Sequence, residues 1–375
     1  MGSKTIELSE VITDIAAGPF GSNLKVSCFV PEGFPIIDGA NLKGLKVTDN
    51  LTKFVTEEKA RSLSRSIAKR GEVVVTISGT LGQIAYIPED SLYPEYLCSQ
   101  RQFRVAFDTA KVYVPYLVYY FHTREGQAKI LSFANQTGVP ALAQPTKNFK
   151  KIIVELPEIE EQRKIAKSAE LLTEKIELNN RLNDYLAELT SLLFDQAVQD
   201  CTEAVPLGSY VSISSGKRPP VKSSCLTETC DVPLFGASSQ MGYTSEYLTD
   251  EKLLVIGRVG THGIVQRIDG KAWPSDNTLV IRSDHYETAF QLLQRVDYSS
   301  LNRGSTQPLI TQGDLKAYEV PAVEPTLLEQ FEAQATQLMT LYDHNNLESI
   351  QLSQLRDALL PRLMSGEIDV SKVVI

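Results

Sequence analysis

Residues 156–198 read LPEIEEQRKIAKSAELLTEKIELNNRLNDYLAELTSLLFDQAV, a run in which no Pro or Gly follows Pro157. A proline in the first turn costs no helical hydrogen bond, and Glu158, Glu160 and Glu161 suit the positive end of a helix dipole. The stretch predicts one helix of about forty residues, roughly 60 Å long at about 1.5 Å per residue. Leu171, Leu178, Tyr185 and Leu192 recur at heptad spacing, with Leu182 and Leu189 between them. That alternation predicts a coiled-coil seam rather than the broad stripe of a globular surface helix. Such a helix needs a partner of similar length.

The partner is predicted over 325–363, PTLLEQFEAQATQLMTLYDHNNLESIQLSQLRDALLPRL. Leu338, Leu352 and Leu359 share a heptad position with Asn345, and Leu341 and Leu355 take the adjoining one. The two stretches repeat each other. Pro157 stands five residues before Gln162 as Pro325 does before Gln330, and Asn179-Asn180 is answered by Asn345-Asn346. A period near half the chain identifies a tandem duplication.

The segments before the two helices follow one plan. In 1–155, a strand-like run from Leu8 leads to the Gly-Pro-Phe-Gly turn at 18–21, and a buried strand over 72–78 closes with Gly79-Thr80-Leu81-Gly82. A further strand is expected at 103–107, an apolar helix at 113–124 and a last strand at 151–155. In 201–322, strands at 207–215, 252–258 and 278–282 recur in the same order, the second closed by Gly260-Thr261-His262-Gly263. The expected fold class is α+β. Two tandem-repeated domains, 1–155 and 201–322, are separated by two long antiparallel coiled-coil helices, one in 156–200 and one in 323–375.

Composition narrows the classes. A chain of 375 residues with 42% hydrophobic and 22% charged residues is that of a globular protein with sizeable cores. The opening MGSKTIELSE lacks the apolar core of a signal peptide, and no apolar run reaches membrane-spanning length. Five cysteines without a C-x-x-C pair suit a reducing, cytoplasmic setting. Cys225 and Cys230 lack paired histidines, and no metal is expected. The net charge of −9 is uneven: +3 over 1–157, −5 over 158–200, −3 over 201–325 and −4 over 326–375. The acidity belongs to the helices, so each globular half retains room for a basic face.

Catalytic motifs are missing. There is no G-x-S-x-G elbow, no H-E-x-x-H, no Walker A loop and no Asn-Pro dipeptide of the kind adenine methyltransferases use to hold a flipped base.

Against that background, LPEIEEQRKIA at 156–166, KIELNNRLNDYLAELTSLLF at 175–194 and LRDALLPRLMSGEIDV at 355–370 resemble the specificity subunits of type I restriction–modification systems. The resemblance covers essentially the full length, with a degenerate second helix opening, VEPTLLEQFEA at 323–333. It implies a non-catalytic subunit with two target-recognition domains. Each would read one half of a bipartite double-stranded DNA sequence, and the helices would set the gap and dock two modification subunits. It also implies that S-adenosylmethionine is bound by the modification subunit, that ATP and magnesium belong to the restriction subunit, and that this chain carries no cofactor.

Reading DNA requires phosphate contacts for register and base-edge contacts for sequence, from loops on a rigid scaffold. The candidates in the first domain are Asn23, Lys25, Gly79, Thr80, Gly82, Arg101, Gln102, Lys147 and Asn148. In the second they are Lys217, Arg218, Arg258, Gly260, Thr261, His262, Arg303 and Gln307. The glycines have an alternative reading as plain hairpin-turn residues. Two other functions compete: an adenine methyltransferase in its own right, which the missing motifs disfavour, and a coiled-coil scaffold without DNA contact, which leaves the repeated domains unexplained.

Overall fold

The structure is a computed structural model that describes residues 3–135, 140–303 and 309–368. The chain forms two compact units, Met1–Glu177 with Ser349–Ile375, and Leu178–Glu348.

The first unit is built on an antiparallel four-stranded sheet in the order Ile12–Ala17, Gln102–Phe107, Val73–Thr76, Ile84–Tyr86. Val73, Val74 and Val75 are all fully buried. Their side chains alternate between faces, Val73 and Val75 joining a helical core with Phe103, Leu117 and Phe121, and Val74 a second core with Ile37, Ala85 and Tyr96. A strand covered on both faces loses its polar alternation, which explains the unbroken VVV run. The helix Val114–His122 supplies the first cover and is buried almost all round. The second cover is a five-stranded sheet in which Phe34–Ile37 runs parallel to Glu95–Cys98.

The second unit repeats this arrangement. Its four-stranded sheet runs Ser212–Ser215, Thr278–Arg282, Leu253–Gly257, Gln266–Ile268, and its second sheet again holds a parallel pair, Leu234 opposite Trp273. In each repeat a two-stranded ribbon joins the first strand to the segment entering a long helix. Lys4–Glu7 pairs with Ile153–Leu156, and Ala204–Pro206 with Glu319–Pro321.

Ile159–Val198 and Pro325–Met364 are both helices of 40 residues. In the second unit they are antiparallel neighbours: Phe194 meets Phe331 edge to face at 5.1 Å, and Asn179 donates to Glu348 at 2.7 Å. In the first unit Ile165, Ala166 and Ala169 share a core with Leu360 and Leu363.

Asn345 is buried as its heptad position implies, but the rest of the seam differs from the heptad expectation by one position. Leu171, Leu178, Leu182, Tyr185, Leu189, Leu192, Leu341 and Leu355 are exposed, and Leu338, Leu352 and Leu359 are half-buried. The buried stripe instead holds Gln162, Ile165, Ala166, Ala169, Asn179, Asn183, Leu186, Thr190 and Phe194. Helical residues step by about 100°, so a shift of one moves the seam to another face. The interior tolerates asparagines because they bond across it. Asn183 donates to the Tyr342 carbonyl at 3.1 Å and to Asn346 at 2.9 Å. The helices thus carry their leucine stripe outward.

Gln162 shows what the 156–166 motif does. Fully buried, it accepts from the Tyr113 N–H at 2.9 Å and donates to the Lys111 and Pro157 carbonyls, each at 2.9 Å. It ties the opening of helix Val114–His122 to the long helix. In the second repeat Glu332 does the same work, accepting from the backbone N–H groups of Glu287 and Thr288 at 2.9 and 3.0 Å. The second motif is degenerate in sequence and conserved in task.

Candidate nucleic-acid interface

One end of each four-stranded sheet gathers the candidate residues. In the first unit Ala17 lies opposite Phe103 and Thr76 opposite Gln102, so the two flanking strands end where the central strand begins. The loops 18–26, 77–82 and 99–101 therefore meet there. Ser78 bridges to Ala141, which brings in the segment leading to helix Pro145–Lys150. In the second unit Ser215 lies opposite Leu279 and Gly257 opposite Thr278. There, 216–218, 258–263 and, through the Val259–Leu309 bridge, the region beside Arg303 converge.

The Gly-Thr-x-Gly turns have the same backbone in both repeats. Gly79 and Gly82 have φ of 99° and 86°, and Gly260 and Gly263 of 88° and 83°, a region that L side chains rarely adopt. This supports the hairpin reading of these glycines. Gly82 is buried and its carbonyl accepts from Gln127 at 2.8 Å, whereas Gly79, Thr80, Gly260 and Thr261 are exposed at the turn.

The first sheet end opens as a cleft of about 640 Å³, lined among others by Val26, Lys53, Thr80, Gln83, Arg101 and Gln102. Gln102 lies buried in its floor and accepts from the Ser99 hydroxyl. Lys53 is paired with Asp38 at 2.5 Å. Burial would raise the Asp38 carboxyl, but Lys53 and the Ala40 N–H outweigh it and hold it below its ordinary value. That pair is internally neutral. Arg101 is exposed, its guanidinium without an ion pair among the described residues, and supplies the cleft's positive charge. Asn23 and Lys25 are exposed on the adjoining loop. Lys147 is exposed on its short helix, whereas Asn148 donates to the Ala143 carbonyl at 2.6 Å and holds the loop that precedes it. That loop contains Gln144, which has a left-handed φ of 43°.

In the second unit Lys217 and Arg218 are exposed, Arg258 and His262 half-buried. The Lys217 carbonyl accepts from Trp273 Nε1 at 2.8 Å, and its N–H donates to the Pro274 carbonyl at 3.1 Å, so the backbone beneath these cations is fixed. His262 Nδ1 lies 3.2 Å from the Gly257 carbonyl. Arg303 is ion-paired with Asp314. Gln307 lies outside the described residues.

Two arginines do structural work instead. Arg104 binds Asp14 and Glu72, and Arg267 sits between Glu287 and Asp343 over the rings of Tyr286 and Phe290. Lys53, Gln83 and Gln100 belong to the first cleft and were not expected there. The run Ser99-Gln100-Arg101-Gln102 held a signal, since every side chain in it can hydrogen-bond. Lys53 has none. Among the described residues no cluster of His, Cys, Asp and Glu is placed to hold a metal, and no helix is long and apolar enough to cross a membrane.

A family model described as the type I restriction modification DNA specificity domain matches residues 30–188 and again 202–355, well over half of the chain. The type I restriction enzyme MjaIX specificity subunit of Methanocaldococcus jannaschii is 21% identical over 367 residues, covering 85% of this chain and 82% of the relative. The crystal structure of a type I restriction–modification system S subunit from M. genitalium is similar at a TM-score of 0.61. That likeness comes with 17% identity and covers 96% of each chain.

Proposed function

The chain belongs to the type I restriction–modification DNA specificity family and is a specificity subunit of that kind. On that premise we propose that each unit reads its own half of a bipartite duplex target. The observation that carries this is the duplicated sheet end, which presents one backbone arrangement twice with different side chains. Arg101 and Thr80 line the first, with Asn23 and Lys25 exposed on the adjoining loop, and the second carries Lys217, Arg218, Arg258 and Thr261. Cations there supply phosphate contacts and register, and polar groups meet base edges.

The outward leucine stripe of the long helices docks two modification subunits, to which restriction subunits add. The chain itself does no chemistry: S-adenosylmethionine binds the modification subunit, and ATP and magnesium serve the restriction subunit. The assembly works in the cytoplasm. The helices also set the gap between half-sites, so inserting Leu-Ala-Glu-Leu after Leu186 lengthens the preferred spacer by about one or two base pairs, from about 6 Å of added rise.

The test is a domain exchange. Residues 201–322 are replaced by the equivalent unit of a relative, the protein is expressed with its modification subunit, and the methylated motif is read by genome-wide adenine-methylation sequencing. One half of the motif should change and the other persist. A chimera that assembles and methylates with both halves altered defeats independent reading.

A further inference from the structure

We propose that Phe20 reads a thymine in the first half-site by apolar contact with its C5-methyl group in the major groove. At the equivalent place in the second repeat stand Lys217 and Arg218. The inference rests on the reading of each unit as a half-site reader.

The equivalence is structural. Gly18 donates to the Gln102 carbonyl at 2.8 Å, and Gly216 to that of Thr278 at 3.1 Å, each at the start of the central strand. Both glycines are pressed against backbone: a Cβ on Gly18 would come 1.8 Å from the Ser99 carbonyl oxygen, and one on Gly216 2.1 Å from that of Ser275. From these matched points the chain continues as Pro19-Phe20 in one repeat and as Lys217-Arg218 in the other.

Phe20 is 83% exposed, and Val26 on the same loop 80%. A single exposed apolar residue needs no explanation by itself. This one sits on a rigid mount. Gln100 donates to the Gly21 and Leu24 carbonyls at 2.8 and 2.7 Å, Asn23 donates through its N–H to the Phe20 carbonyl at 3.0 Å, and Ser66 holds the Ala17 carbonyl at 2.9 Å. The residue next to Gln100 is Arg101, the unpaired cation of the cleft. A solvent-facing ring on a fixed backbone, with an unpaired guanidinium on the loop that holds that backbone, fits a duplex groove. The thymine methyl, which projects into the major groove, is the one apolar group a base pair offers there. Lys217 and Arg218 offer charge and donors at the matching place, so the two halves are read by different chemistry from one scaffold.

The test uses the chain assembled with its modification subunits and duplexes carrying the methylated motif. Each thymine of the first half-site is replaced singly by deoxyuridine, which removes only the methyl group. One replacement should weaken binding about 3- to 10-fold, the scale of one buried methyl. The Phe20→Ala complex should bind the thymine duplex with that same loss and no longer distinguish the two bases. Phe20→Leu should keep part of the discrimination. Equal binding by the unaltered complex to every deoxyuridine duplex overturns the inference while leaving half-site reading intact. An equal loss for Phe20→Ala on both duplexes overturns it too, in favour of a wedge between base steps. A complex that does not prefer its motif over scrambled DNA defeats the underlying reading and the inference with it. Deoxyuridine in the second half-site should act equally on both proteins.

Discussion

Asn345 donates a hydrogen bond to Asn183 across the helix pair at 2.9 Å, and the two residues are only 4% and 5% exposed. Asn345 lies at the heptad position expected of the seam, and Asn183 fills the place expected of its neighbour Leu182. A buried polar pair of this kind holds one register, because sliding either helix leaves both amides unsatisfied.

Asn183→Leu should therefore destabilise the protein by about 2–4 kcal/mol, since the Tyr342 carbonyl and the Asn345 and Asn346 side chains lose a partner together. Asn183→Leu with Asn345→Leu should recover part of that loss. Urea denaturation of both variants measures it. A single variant as stable as the parent removes the register argument.

Gln162→Leu should cost about 2–4 kcal/mol, because it leaves the Tyr113 N–H and the Lys111 carbonyl without their buried partner. Glu332→Leu should weaken the second unit comparably, through the N–H groups of Glu287 and Thr288. Hydrogen exchange at Tyr113 and at Glu287 locates each effect. Exchange unchanged at those amides refutes the tether.

The leucine stripe separates stability from assembly. Leu182→Glu with Leu189→Glu should change unfolding free energy by no more than about 1 kcal/mol, as exposed substitutions do. In a coiled-coil seam the same pair would unfold the protein. Co-purification with the modification subunit should fall sharply, and retention of the complex at parental affinity places docking elsewhere.

The heptad reading found the helices, their pairing and the seam position of Asn345, but on the first helix it chose a face one residue away from the buried one. Apolar periodicity marks a face that something covers. It does not say what covers it, and these helices have two such faces. The interior one is disguised by Asn179 and Asn183, whose partners lie across the seam, and by Thr190, whose hydroxyl donates back to the Leu186 carbonyl of its own helix. The four-stranded sheets were legible from runs such as VVVT at 73–76, whereas the second sheets were not. Their strands are short and three hold proline in the strand itself, FPII at 34–37, VPLF at 232–235 and KAWP at 271–274. The cleft was half legible. Arg101 and Thr80 flank recognisable turns, but Lys53 reaches the site only through the pairing of Phe54–Val55 with Phe34–Ile37.

His122 should make the first unit acid-sensitive. Burial lowers its pKa below the ordinary value of 6.5, and the ring's Nε2 lies 2.8 Å from the Ile84 carbonyl. With the folded value depressed, the full contribution to stability is present above about pH 6.5 and is lost as pH falls through the folded value. His122→Gln keeps a donor without titrating. Thermal unfolding between pH 7 and 5 should show a smaller decline in this variant, and an unchanged decline excludes His122 as a source.

Arg101→Ala and Lys217→Ala should each reduce the salt dependence of DNA binding, the logarithmic slope falling by about one per lost phosphate contact. Titration of the assembled complex at several salt concentrations measures this. A slope that stays the same while specificity relaxes reassigns that side chain from phosphate to base.

The first unit also has a history in time. Its core contains Leu8, Phe103 and Ile165, but Leu360 and Leu363 close it. On a ribosome adding about 5–20 residues per second, roughly 10–40 s separate Ala169 from Leu360. Throughout that interval the nascent first unit stands with one wall missing while the second unit is synthesised, and the closing residues come last. Any message cut short before Leu360 yields a chain whose earlier-made half is the one left unfinished, an outcome that would bring it to chaperones and proteases rather than to DNA.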